Sequence, residues 1–376
     1  MRILEICPFS AGICGVWARV KQESLELSKK GHEVHIFSSD IEKGTNKKVD
    51  SFEELEGINI FRFKTTSSLI SKNVKYWFEH KYLPIKSKAR KKLEDFNPDV
   101  IITHLLHPHS ANIERLIPYL KKKKPSLKIF IVTHAPFNVK RKFPLNIATK
   151  FWRKFSTLRM NKFTKVIAIT KWEIPYLLNL GISKEKIKYV PNGIPEEFFS
   201  QKKSKEKNKI LFLGRIAPVK NLELLFSVAK EFPNIDFSIV GASEKDYLKK
   251  LNLTKSSNVT IYPPIYNLKE KINLIDEHKI FVLPSKREAM PQSLIEAMSR
   301  EKIVISSNTD GGKEIVQNNE NGFLFKKGNK EDLRNKIQKV LDLKNYEILK
   351  IQKNAKNSVE RFKWSNLIKD LEQIIK

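Results

Sequence analysis

Residues 279–298 read KIFVLPSKREAMPQSLIEAM. Ile280 to Leu283 form an unbroken apolar run ended by Pro284 and Ser285. Such a run, with no polar alternation, suits a strand buried on both faces of a parallel sheet. The second half starts a helix at Pro291, whose fixed φ suits the first helical position and whose missing N–H is not needed there. Met290, just before it, is a poor cap. The stretch therefore reads as strand, loop and helix start.

The same alternation runs outward in both directions. RILEI (2–6), EVHIFS (33–38), NIFRF (59–63), DVIITH (99–104), KIFIVTH (128–134) and KVIAIT (165–170) are strand candidates. Between most of them lie helical patterns such as 16–31, closed by Gly31. Residues 191–209, PNGIPEEFFSQKKSKEKNK, break the rhythm and read as a linker. Strands then resume at KILFLGR (209–215), DFSIVG (236–241), NVTIYP (258–263), KIFVLPS (279–285) and KIVISS (302–307). The expected fold is α/β, with two doubly wound Rossmann-like domains facing across a cleft. The first domain would span 1–193 and be completed by a C-terminal helix at 356–376; the second would span 194–355.

In open α/β sheets, ligands bind beyond the carboxyl ends of the strands. His104, His134, Arg215 and Glu288 all follow strands directly. With Met290 and Pro291 offering no side-chain cap, the amides of Gln292, Ser293 and Leu294 are expected to be open to an anion. Glu288 and Glu296 flank that helix start. The pattern suits a ligand with a diphosphate at its centre and hydroxyls at both ends. Arg215 and Lys220, five residues apart, have the chemistry of a diphosphate clamp.

The chain has 376 residues, 71 Lys+Arg against 41 Asp+Glu, and a formal net charge of +30. That excess favours anionic partners: phosphates, an acidic lipid surface or nucleic acid. A nucleic-acid-binding protein is the alternative reading, but no nucleic-acid-binding module is recognisable, so nucleic acid is not expected as the partner. From Arg115 to Lys171 there is no Asp or Glu. Within that stretch Lys150, Phe151, Trp152, Arg153, Lys154 and Phe155 combine basic and aromatic residues, as interfacial helices on anionic lipid do; a core-facing helix with a basic outer face fits equally well. Two cysteines, Cys7 and Cys14, point to no disulfide framework. No run approaches the length of a membrane span, and the N-terminus is no convincing signal peptide. The expected location is cytoplasmic, peripheral on the inner face of the cell membrane if the basic stretch binds lipid. His104, His107 and His109 are clustered, but no cysteine or nearby carboxylate completes a metal set.

The spacing EAMPQSLIE (288–296), together with GHEV (31–34), VPNGI (190–194), LGRIAPVKN (213–221), IVG (239–241), VLPSKRE (282–288) and GGKEIV…NGFLF (311–325), resembles the retaining glycosyltransferases of family 4, glycosyltransferase group 1, which have the two-Rossmann-domain (GT-B) architecture. The resemblance implies transfer of a hexose-type sugar from a nucleoside-diphosphate sugar, with retention, to a lipid-linked acceptor or a surface-glycan precursor; a soluble sugar or sugar-phosphate acceptor is the alternative. It implies that Arg215 and Lys220 hold the donor's diphosphate, Glu296 the ribose hydroxyls, and Glu288 the transferred sugar. The backbone from Met290 through Pro291, Gln292 and Ser293 to Leu294 would hold sugar and phosphate. Gly12 and Gly15 resemble the glycine-rich loop over the diphosphate, although GICG separates glycines that are often adjacent. His104 resembles the histidine near the reacting sugar, and His134 is a candidate on the acceptor side. The chain has no Asp-x-Asp motif, and no metal cofactor is expected. It departs from the family pattern at Ala289, at Glu301 where a glycine is usual, and at YPPI (262–265).

Overall fold

The computed structural model describes residues 1–12, 14–43, 47–64, 88–105, 111–135, 160–201, 206–243 and 245–376. The chain divides into two compact units: Met1–Gly193 with Trp364–Lys376, and Ile194–Lys363.

The sheet of the first unit contains β1 (Arg2–Ile6), β2 (Glu33–Ser39), β3 (Phe52–Leu55), β4 (Ile58–Phe63), β5 (Val100–His104), β6 (Lys128–Val132), β7 (Lys165–Ala168) and β8 (Ile187–Tyr189). Their order is β3-β4-β2-β1-β5-β6-β7-β8. All pairs are parallel except β3 with β4. Ile3 lies between Val34 and Val100 across the sheet, and all three are buried. Helices α1 (Gly15–Lys29), α2 (Lys88–Phe96), α3 (Ala111–Lys123) and α4 (Ile174–Asn179) connect strands.

The second unit has β9 (Lys207–Leu213), β10 (Asp236–Val240), β11 (Val259–Tyr262), β12 (His278–Leu283), β13 (Ile303–Ser307) and β14 (Phe323–Phe325) in the order β11-β10-β9-β12-β13-β14. All are parallel. This is the doubly wound dinucleotide-binding order, with its switch point between β9 and β12. Its helices are α5 (Leu222–Ala229), α6 (Lys245–Asn252), α7 (Leu268–Glu277), α8 (Gln292–Ser299), α9 (Asp310–Ile315), α10 (Lys330–Asp342) and α11 (Asn345–Val359). The last helix, α12 (Trp364–Ile375), belongs to the first unit.

Three short strands escape the sequence reading. β3 reads FEEL and is largely exposed, so it has no apolar run to betray it. It forms because Glu56 (φ 48°) and Gly57 (φ 81°) make a tight turn onto β4, with both φ positive as two-residue hairpins prefer. β8 and β14 have three residues each, too few for a pattern.

Two boundaries differ from expectation. The segment after Gly193 is more than a linker: Glu196–Phe199 forms a helical turn, and Phe198 is fully buried in the second core. Arg300 fixes the turn by donating to the carbonyls of Phe198 (3.1 Å) and Ser200 (2.6 Å), while Asp276 takes its other nitrogens at 2.8 and 2.5 Å. The return to the first unit also comes later than residue 356. Ala355, Val359 and Phe362 are packed in the second core, and the crossing falls between Lys363 and Trp364.

Candidate functional site

At the switch point of the second unit, the segments leaving β9 and β12 meet. β9 ends at Leu213 and runs through Gly214 and Arg215 to a helical turn at Pro218–Lys220. β12 ends at Leu283 and runs through Ser285 to Glu288. The amide of Lys286 donates to the Val219 carbonyl at 2.8 Å and ties the two loops together. Lys220 Nζ then lies 2.5 Å from Glu288 Oε1, which also accepts from Ser285 Oγ at 2.6 Å. The Lys220 and Glu288 side chains are mostly covered, whereas Arg215 is exposed at the strand end.

Two glycines make this approach feasible. A Cβ on Gly241 would lie 1.9 Å from the Gly214 carbonyl oxygen. A Cβ on Gly311 would lie 2.4 Å from that of Ala289. The Gly311 amide also donates to the Glu288 carbonyl at 3.3 Å, so the first glycine of GGKEIV supports the loop that carries the first acid.

The helix start differs from the sequence reading in one respect. Pro291 is the cap (φ −76°, ψ 96°) and Gln292 the first helical residue. The Leu294 amide, expected to be open to an anion, donates to the Pro291 carbonyl at 3.1 Å. The shift follows from register: moving the helix one residue later puts Leu294 three residues past the cap, within reach of its carbonyl. Leu294 is fully buried and Met290 packs against the second core, so neither is presented as an open contact; Gln292 and Ser293 are half-buried.

Glu296 sits further along α8, nearly buried. Its Oε1 accepts from Lys271 Nζ at 2.6 Å, and its buried Oε2 has no hydrogen-bond partner among the described residues. Nothing in the sequence pointed to Lys271, because its partner lies 25 residues away on another helix.

In the first unit, Gly12 has φ 79°, and a Cβ there would meet the Lys43 carbonyl oxygen at 2.6 Å, so the loop after β1 requires this glycine. Gly15 begins α1, and a Cβ added there would meet nothing within 4 Å. The resemblance places His104 near the reacting sugar. Its side chain is buried, with Nε2 2.7 Å from Glu5 Oε2 and Nδ1 3.0 Å from His134 Nε2. Burial pushes its pKa down to about 3, so the ring that hydrogen-bonds His134 is neutral. His134 is half-buried at the end of β6, with φ 56° there and 48° at Ala135. Loss of hydration, with His104 and Arg19 nearby, holds its pKa well below the usual histidine range.

Behind His104 lies a buried network. Burial pushes Glu5 up to about 8 against the opposing pull of Arg19, and ligand atoms of Glu5, Glu23 and His104 lie within 4.8 Å of one another. Arg19 Nε donates to Glu23 at 2.8 Å. Its Nη1 donates to the carbonyls of Val190 (2.9 Å) and Pro191 (3.0 Å) and to Asn192 Oδ1 (3.1 Å). An acid inside the apolar run of β1 was the sequence's only sign of this cluster. Lys150, Phe151, Trp152, Arg153, Lys154, Phe155, His107 and His109 lie outside the described residues. Among the described residues, no helix is long and apolar enough to cross a membrane.

Two parallel-sheet α/β units, the second carrying paired lysine and glutamate side chains at its switch point, define the GT-B class of glycosyltransferase. Residues 13–198 match Glycosyltransferase Family 4 and residues 193–358 match Glycosyl transferases group 1, so the chain belongs to this family of glycosyltransferases. A capsular polysaccharide biosynthesis glycosyltransferase of Staphylococcus aureus is 25% identical over 313 residues, covering 78% of each chain. The Escherichia coli UDP-Gal:alpha-D-GlcNAc-diphosphoundecaprenol alpha-1,3-galactosyltransferase is 30% identical over 215 residues, 52% of this chain and 54% of that one. The structure of sucrose-phosphate synthase from Thermosynechococcus elongatus shares the fold, with a TM-score of 0.78 at 16% identity over 100% of this chain and 98% of that one.

Proposed function

We propose that this glycosyltransferase moves a hexose from a nucleoside-diphosphate sugar to a lipid-linked acceptor, with retention and without a metal ion. The observation that carries the reading is the Lys220–Glu288 pair at the switch point, together with the unpartnered oxygen of Glu296. A buried carboxylate oxygen with no donor is costly unless a ligand hydroxyl completes it. Donor ribose hydroxyls have that chemistry at Glu296, and hydroxyls of the transferred sugar have it at Glu288.

In this mechanism Lys220 exchanges Glu288 for the donor's diphosphate. Charge grows on the leaving phosphate as the glycosidic bond breaks, and the ammonium, assisted by Arg215, stabilises it where a metal would otherwise serve. Released from Lys220, Glu288 accepts from the sugar. No carboxylate is nominated as a nucleophile, so the acceptor oxygen attacks from the leaving-group face and the departing phosphate takes its proton. The galactosyltransferase relative, named for a UDP-sugar donor and a diphosphoundecaprenol acceptor, supports both halves of the reading. The net charge of +30 suits an anionic donor and an acceptor presented at an anionic surface.

Thermal unfolding against a panel of nucleoside diphosphates and their sugars, in buffer containing EDTA, tests the donor half. One nucleotide should stabilise the protein by about 3 kcal/mol at a hundredfold excess over its Kd. Indifference to the whole panel would remove the reading. Co-sedimentation with anionic rather than neutral vesicles tests the membrane half, and equal binding to both would remove that half.

A further inference from the structure

We infer that Lys271 is a positioning residue for the nucleotide pocket: it occupies one oxygen of Glu296 so that the other is presented to the ligand's vicinal hydroxyls. The inference rests on the donor reading above and adds to it the residue that makes Glu296 selective.

Glu296 is a buried acid whose two oxygens differ: Oε1 is 2.6 Å from Lys271 Nζ, whereas Oε2 is buried and has no hydrogen-bond partner among the described residues. A carboxylate free to rotate could offer either oxygen. This one cannot do so without breaking an ion pair in which the acid is 9% exposed and the lysine 25%. Breaking such a pair leaves a poorly hydrated charge behind, so the pair fixes which oxygen faces the ligand.

Lys271 is itself held in place. It lies in the first turn of α7, where the Asn267 side chain accepts from the amides of Lys269 and Glu270 and the Asn267 carbonyl accepts from the amide of Lys271. Its ammonium also sits 5.4 Å from the centre of the Phe198 ring. A capped helix end, an aromatic face and a carboxylate thus define one location for the charge. An ion pair that served stability alone would need no unpartnered oxygen beside it. Among the described lysine–glutamate bridges of the second unit, this is the one whose acid keeps a buried oxygen without a partner.

The test compares a nucleoside diphosphate with its 2′,3′-dideoxy analogue, using the nucleotide that gives the largest thermal shift and titration calorimetry as the readout. Wild-type protein should prefer the ribose form by about tenfold or more, the value of a hydrogen bond to a charged group. Lys271→Met should bring that ratio close to one while leaving affinity for the dideoxy form within about twofold, and Lys271→Arg should restore most of it. If Lys271→Met weakens both nucleotides equally, or leaves the ratio intact, the inference is overturned. Glu296→Gln separates the two levels of the argument. If it abolishes the ratio and Lys271→Met does not, only the positioning role fails. If it leaves the ratio unchanged, the ribose reading fails and takes the inference with it.

Discussion

Trp364 covers Gly193 so closely that a Cβ on the glycine would lie 2.7 Å from the indole ring. The two residues end the first unit's share of the chain at its two crossings, since Ile194 and Lys363 already belong to the second. Arg19 stacks near the same indole, 5.6 Å from its centroid, and holds the three residues before Gly193. Gly193→Ala should therefore destabilise the protein by about 1–3 kcal/mol, the cost of overpacking a filled site. Urea unfolding at constant slope measures it. Unchanged stability would mean that the large, fully buried indole can yield, against what its packing implies.

Lys220→Ala should lower kcat by about 100- to 1,000-fold, equivalent to about 2.7–4 kcal/mol of lost charge stabilisation at the leaving phosphate. Because Lys220 also pairs with Glu288, the variant removes one of that acid's donors and leaves Ser285 Oγ in place. Lys220→Arg should recover part of the rate. Steady-state kinetics with the identified donor decide the matter, and near-normal turnover in Lys220→Ala would take the lysine out of the mechanism.

Glu5 links pH to stability in a definite direction. Its pKa rises from the ordinary 4.5 to about 8 on folding, so the folded chain keeps a proton that the unfolded chain releases. That contribution is complete below the unfolded value and is lost as the pH climbs through about 8. His104 works in the opposite sense: its contribution is present above its ordinary 6.5 and is lost as the pH falls toward about 3. Glu5→Gln mimics the protonated acid. It should flatten the decline in stability between about pH 5 and pH 8 and leave the acid limb in place. A variant whose urea midpoints still fall with pH as the wild type's do would assign the slope to another group.

Glu301 takes up a glycine's conformation. It follows the end of α8 with φ 55°, in the left-handed region where helices commonly place glycine. Its carboxylate compensates in part by bonding Lys356 at 2.9 Å, an ion pair about 30% exposed at both ends. Surface pairs of that kind contribute little, whereas a left-handed residue with a Cβ costs about 1–2 kcal/mol. Glu301→Gly should therefore raise stability, by about 0.5–1 kcal/mol once the extra freedom of glycine in the unfolded chain is subtracted. A loss of stability would show that the Lys356 bridge outweighs the backbone strain.

The sequence by itself determined the doubly wound class, the eleven principal strands and the placing of Lys220 and Glu288 in segments that follow strands, with Glu296 in the helix beyond. Those properties are local: unbroken Val/Ile/Leu runs announce buried parallel strands, and in such sheets the following loop carries the chemistry. Tertiary structure decided what distance in the chain conceals. Lys220 meets Glu288 across 68 residues, Lys271 meets Glu296 across 25, and His104 meets Glu5 across 99. No periodicity encodes such pairs, because each depends on the sheet order that brings two loops or helices side by side. The same holds for His104, which as the last residue of a strand could have faced either a ligand or a buried acid. Packing behind β1 chose the acid, and only three-dimensional burial could distinguish the two.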